Sequence, residues 1–347
     1  LAPTHSAKVV TWLQSMYHRH SSNPTQRWFI ARAAVEVGQD ALPIVLQALR
    51  EHDPNPALAN LGVWSVERAA PESELVESFA DLLLNRQAWQ NAGYAAPVLE
   101  QLLAGLTREN SLRRTQLLCW KLRAVAEDEG SRRWFGYERA GSIGDWRDDD
   151  PDDRFGSLLR TLVAALTRAL EWITVDEALS VVDSLPDEIR DRVRPWVLAS
   201  SPASDPTAMI EEIARAIATR DPTGEDLALI DRVVASTDPS DFERQWTDAL
   251  GLPPGVTEVA QALAKHELPV SVRRSFHWCG ILPEHVYVSW SQVAAVIAAA
   301  YGRPSREALQ KRSRVEAAWG RSPISAEDLG TLSPVEAAKT VAAWRPD

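Results

Sequence analysis

Apolar residues in this chain recur three and four positions apart over long stretches, and that spacing restricts what it can fold into more than any other feature. From Phe155 to Ile173 they fall at Phe155, Leu158, Leu159, Leu162, Val163, Leu166, Leu170 and Ile173. On a helix these form one stripe, with Arg160, Thr167 and Glu171 on the opposite face. Ile210, Ile213, Ala214 and Ile217 repeat the pattern, with Glu211 and Arg215 four apart as an expected exposed pair. Arg220 to Gly224 then connect to a helix carrying Leu227, Ile230 and Val234. A connection so short predicts antiparallel neighbours.

Helix-start chemistry agrees with the stripes. Asp53-Pro54, Asp205-Pro206, Asp221-Pro222 and Asp238-Pro239 each pair a capping carboxylate with a proline suited to a first turn. Thr174…Glu177, Ser240…Glu243 and Ser333…Glu336 have capping-box spacing. The best alternating strand candidate, His285 to Ser289, is too short and isolated to build a sheet. About eighteen helices of about 10 to 19 residues are expected, so the chain is predicted to be all-α.

Helix pairs recur about every 30 to 45 residues, the range of HEAT-like repeats. This predicts antiparallel helical hairpins stacked as an α-solenoid; an irregular helical bundle is the alternative. Glycines and prolines in residues 131–154 break the pattern. They divide the chain into N-terminal helical repeats over 1–130, an irregular Gly/Asp-rich linker or inserted loop, and C-terminal repeats over 155–347.

The formal net charge of -11 argues against a nucleic-acid backbone as partner. Two cysteines, Cys119 and Cys279, cannot form a disulfide framework for 347 residues, and together with the absence of a visible secretory signal they predict a cytoplasmic setting. The run Val293 to Tyr301 is about half the length of a membrane span, so no membrane association is expected. The first residue is Leu1, which suggests a piece of a longer polypeptide.

Candidate chemistry is sparse. Asp148-Asp149-Asp150-Pro151-Asp152-Asp153 contains Asp-Asp-x-x-Asp twice, the arrangement that holds Mg²⁺ and a substrate diphosphate in all-α terpenoid synthases. Paired aspartates occur nowhere else, and Pro151 and the preceding glycines place the run on a loop. A solvated acidic loop before the next helix is the favoured reading. His266, His277, Cys279 and His285 lack the paired spacing of a zinc site, and Cys279 reads as a buried thiol at a helix end with Gly280 as cap. No P-loop, acidic-x-Lys nuclease pattern, zinc-protease helix or Gly-x-Ser-x-Gly elbow is present. The expectation is therefore no enzyme, no cofactor and no resident metal.

Tryptophan is overused: 14, against 6 Phe and 5 Tyr. Their dispersal suggests large rings that lock helix to helix. Trp134 and Trp146, beside Arg132, Arg133 and Tyr137 in the irregular segment, are the candidates for contact with a partner.

The C-terminal stretch Trp319 to Leu329, with Leu332 to Ala338 and the closing Trp344-Arg345-Pro346-Asp347, resembles helical regions of large bacterial multidomain proteins, some of which carry STAND-type or NACHT-type NTPases. The resemblance implies a sensor or scaffold array beside an ATPase, in antiphage defence. The expected function is a non-catalytic helical-repeat scaffold or sensor that binds a protein, another macromolecule or other domains of the same polypeptide. A Mg-dependent enzyme using Asp148–Asp153 and a purely structural spacer are the alternatives.

Overall fold

The computed structural model describes residues 3–52, 55–85, 94–127, 154–236, 239–303 and 306. The chain is all-α: among the described residues there are 16 α-helices and no strand. In chain order they are α1 (Pro3–Arg19), α2 (Pro24–Val37), α3 (Leu42–Glu51), α4 (Pro56–Arg68), α5 (Glu74–Leu83), α6 (Ala95–Ala104), α7 (Ser111–Ala126) and α8 (Arg154–Ala169). There follow α9 (Val175–Val182), α10 (Asp187–Ser200), α11 (Pro206–Thr219), α12 (Gly224–Ser236), α13 (Pro239–Leu250), α14 (Val256–Ala264), α15 (Val270–Cys279) and α16 (Ser291–Tyr301). The alternating segment around His285 to Ser289 forms two 3₁₀ turns, Glu284–Val286 and Val288–Trp290. No described helix is long and apolar enough to cross a membrane.

Packing is mostly local along the chain. α2 lies against α3 and α4, α4 against α5 and α6, α6 against α8, and α7 against α8, the next described helix in the chain. Further on, α10 lies against α9, α11 and α12, and α11 against α13. The α8 stripe faces inward, with Leu158, Leu159, Leu162, Val163 and Leu166 buried. On α12 the inward seam is Leu227, Leu229, Ile230 and Val233, while Val234 is 44% exposed. The seam expected there was one residue out, because α12 touches both α10 and α11 and buries a wider face than a single stripe.

The caps show which start signals act. Thr174 and Glu177 form the reciprocal capping box, and Asp205 accepts the amide of Thr207 with Pro206 in the first turn. At α4 the cap is Asn55, which accepts the Leu58 amide at 3.0 Å; Asp53-Pro54 and Ser333…Glu336 lie outside the described residues. Asp221 does not cap α12. Asp226 accepts the Thr223 amide at 2.7 Å instead, and Asp221 pairs with His277 Nδ1 at 3.2 Å. α13 begins at Pro239, so Ser240 lies inside the helix rather than before it.

α14 ends in a Schellman turn, with the Glu267 amide donating to Ala262 O at 2.9 Å and the His266 amide to Leu263 O at 3.1 Å. That turn needs left-handed backbone at its centre, and His266 supplies it at φ 59°, where a Cβ is disfavoured. His266→Gly is therefore expected to stabilise the protein by about 1 kcal/mol, read as a raised urea midpoint.

Candidate functional site

α2 places an unusual group of side chains on the surface. Asn23 accepts the Gln26 amide at 3.1 Å, and Pro24 sets the first turn. Ala31, Ala34 and Val35 face inward, and two of the three are alanines, which lets neighbouring helices approach closely. Three consecutive large apolar residues, Trp28, Phe29 and Ile30, cannot all share that inward face. Phe29 is left 60% exposed, and Trp28 half-buried. The two rings meet edge to face with centroids 5.0 Å apart.

One turn on, Arg32 extends between helices. Its guanidinium lies 5.9 Å from the Trp28 ring and 5.3 Å from the ring of Trp64 on α4, which is itself 40% exposed. Each such contact contributes about 0.5–1 kcal/mol at an exposed site, enough to bias the side chain toward one position. No carboxylate pairs with Arg32 among the described residues. The neighbouring cation is engaged: Arg68 donates to Glu36 at 3.1 Å and to Val35 O at 3.1 Å. The indole N–H of Trp28 is buried and has no acceptor among the described residues. The surface thus offers aromatic faces around a guanidinium whose charge is open. It can receive an apolar or aromatic side chain next to a carboxylate.

Beneath it a polar knot fixes α1, α2 and α3. Arg27 Nη1 donates to Glu51 at 2.6 Å, Tyr17 OH donates to the same carboxylate at 3.1 Å, and the guanidinium sits 4.4 Å from the centre of the Tyr17 ring. Burial, then the Glu51 charge, pushes the Tyr17 hydroxyl up to about 12. Burial also works to raise Glu51, but hydrogen bonds from Gln47 and Tyr17 and the charge of Arg27 outweigh it and hold the carboxyl low. Tyr17 is a strut here, protonated at any physiological pH.

The sequence-derived contact residues Arg132, Arg133, Trp134, Tyr137 and Trp146, and the Asp148–Asp153 run, lie outside the described residues. The four candidate zinc ligands do not converge: among the described residues no three His, Cys, Asp or Glu side chains could hold a metal ion. Cys279 is buried and its thiol is pushed up to about 12 by that burial, with Gly280 capping α15 as expected. Cys119 is likewise buried and pushed up to about 12. Several tryptophans do lock elements together. Trp278 donates to Arg220 O at 2.8 Å and Trp290 to Gly251 O at 2.8 Å, both rings being buried.

The expected Glu211–Arg215 pair is replaced by a larger arrangement. Arg215 binds Glu212 and, at 3.1 Å, Asp191 of α10, while Glu211 faces solvent. Glu212 is only 4% exposed; burial raises its carboxyl, yet Arg215 and Arg194 outweigh this and hold it low. Both Glu211 and Glu212 are within a helical turn of Arg215, and the docking of α10 selects the inner one.

An all-α chain with an exposed aromatic and cationic surface is the class these features define. No protein-family model, curated protein or solved structure matches it.

Proposed function

We propose that this chain is a non-catalytic helical-repeat scaffold or sensor segment of a larger cytoplasmic protein. In this reading its helical hairpins stack as a HEAT-like α-solenoid, and the α2–α4 surface receives a protein partner. The observation that carries it is the position of Arg32 between Trp28 and Trp64, without a carboxylate partner among the described residues and beside the exposed Phe29. Tryptophan and arginine dominate the energetics of protein interfaces, and a side chain already held in place loses less entropy on binding. Packing between helices adjacent in sequence supports the solenoid, since that is how repeat arrays bury their apolar faces. The resemblance of the C-terminal stretch supports a place beside an NTPase in antiphage defence.

A photo-crosslinking amino acid at Phe29, with the protein expressed in its source cells, tests this. The expected outcome is one protein adduct that is absent when the crosslinker replaces the exposed Val234 on α12. Arg32→Glu should then reduce the adduct at least tenfold, because loss of one central contact costs about 2 kcal/mol. Equal labelling from both positions, or an adduct indifferent to Arg32→Glu, would remove the α2–α4 surface from consideration.

A further inference from the structure

Among the described residues the buried apolar side chains fall into two clusters. One cluster of buried side chains runs from Leu13 to Val197 and a second from Leu198 to Ile297. The division falls within α10, whose last residues Leu198 and Ala199 belong with the second cluster; otherwise only the half-buried Val175 and Leu179 of α9 border both.

Charge fills the space between. Arg192 contacts the buried Glu225 of α12 through two nitrogens, each at 3.3 Å. Arg194 Nε lies 3.1 Å from Glu212 of α11, and the same guanidinium reaches back to Asp183. Asp191 is shared by Arg215 at 3.1 Å, Arg220 at 4.0 Å and Arg190 at 3.9 Å. Arg232 of α12 donates to Ala199 O at 2.6 Å. Pro195, inside α10, supplies no amide to the carbonyl of Asp191 four residues back, so the helix lacks one bond of its ladder beside the seam.

We propose that this seam is a parting plane, along which the second cluster, from Leu198 at the end of α10 onward, moves as one body against the residues before it. Two physical arguments support it. Separating an apolar interface exposes surface to water at about 25 cal/mol for each Å². Separating an ion-paired one returns its charges to water and recovers much of the desolvation penalty that burial imposed. The plane of lowest opening cost therefore runs through the charged seam. Secondly, the pairs are interchangeable. Arg194 lies between Glu212 and Asp183, Arg215 between Glu212 and Asp191, and Asp191 among three arginines. A small slide of α10 along its neighbours trades one partner for the next, whereas interdigitated apolar packing resists such sliding. The plane's existence does not depend on the α2–α4 surface or its partner.

Electron–electron distance measurement on the full chain tests the proposal. Spin labels at Ala57→Cys on α4 and Ala299→Cys on α16, both exposed positions, report across the plane; Ala33→Cys on α2 and Ala124→Cys on α7 report within the first body. The native thiols Cys119 and Cys279 are buried and stay unlabelled. The cross-plane distance distribution is expected to be at least twice as wide as the internal one, or bimodal. Equal widths overturn the proposal. Arg194→Met combined with Glu212→Met, which replaces one ion pair with apolar side chains, is expected to narrow the cross-plane distribution toward the internal width. A folded double variant with unchanged breadth also overturns it. If that variant fails to fold, the wild-type comparison decides alone.

Discussion

Gly105→Ala is expected to destabilise the protein by about 3 kcal/mol or more, at the upper end of what one added methyl does in a packed interior. A Cβ on Gly105 would stand 1.8 Å from Pro71 O, 2.0 Å from Pro71 C and 2.5 Å from the amide nitrogen of Glu72. All three are backbone atoms, so no rotamer change relieves the clash. The backbone at Gly105 itself is ordinary, with φ at -93°, so the requirement is for space and not for a left-handed turn. Moving the 71–72 turn away would also strip Pro71 O of its hydrogen bond from Arg114, at 2.6 Å. Gly62→Ala is the control. Its added methyl meets Leu83 and Leu49 side-chain carbons at 2.8–3.1 Å, and those leucines can rotate. Urea unfolding followed by hydrogen exchange of the α5–α7 amides measures both. The expected order is a large loss of protection for Gly105→Ala and a clearly smaller one for Gly62→Ala; parity would mean that the α6 end and the 71–72 turn are not in fixed contact.

That close approach illustrates what sequence periodicity does and does not reveal. The α8 and α11 stripes, the Thr174 box, the Asp205 cap and the buried Cys279 were legible because each depends on residues within a turn or two of one another. Long-range selection was not. Nothing near Arg215 distinguishes Glu211 from Glu212 until α10 covers one of them. Arg114 sits in the polar run Arg113-Arg114-Thr115-Gln116, which reads as solvent-facing, yet it is wholly buried because its acceptors arrive from 12 to 43 residues away. The α2–α4 surface had a faint signal: Trp28-Phe29-Ile30 exceeds what one inward face can hold. Its completion by Trp64 depends on α2 lying against α4, which spacing within either helix does not encode.

Arg114 carries the second large effect. Its guanidinium donates to Leu102 O at 2.8 Å, to Pro71 O at 2.6 Å and to Glu77 at 3.0 Å, tying the end of α6 and the turn before α5 to α7. Arg114→Ala is expected to cost about 3–5 kcal/mol, the range for breaking a buried ion pair from one side. Part of that cost is the emptied volume, and part is the two carbonyls left without donors. Glu77 is not orphaned, because Arg113 also binds it. The reverse change is harsher on the survivor. Glu77→Ala leaves a fully buried cation whose only ion-pair contact among the described residues was Glu77. Adding Arg114→Met to Glu77→Ala removes that stranded charge while keeping most of the side-chain volume, so the double variant should lose less stability than Arg114→Met alone and Glu77→Ala alone summed. A shortfall of about 1–3 kcal/mol is expected for groups in direct contact. Simple additivity in the urea midpoints would show that the guanidinium is held by its carbonyl acceptors alone, with the Glu77 charge irrelevant to it.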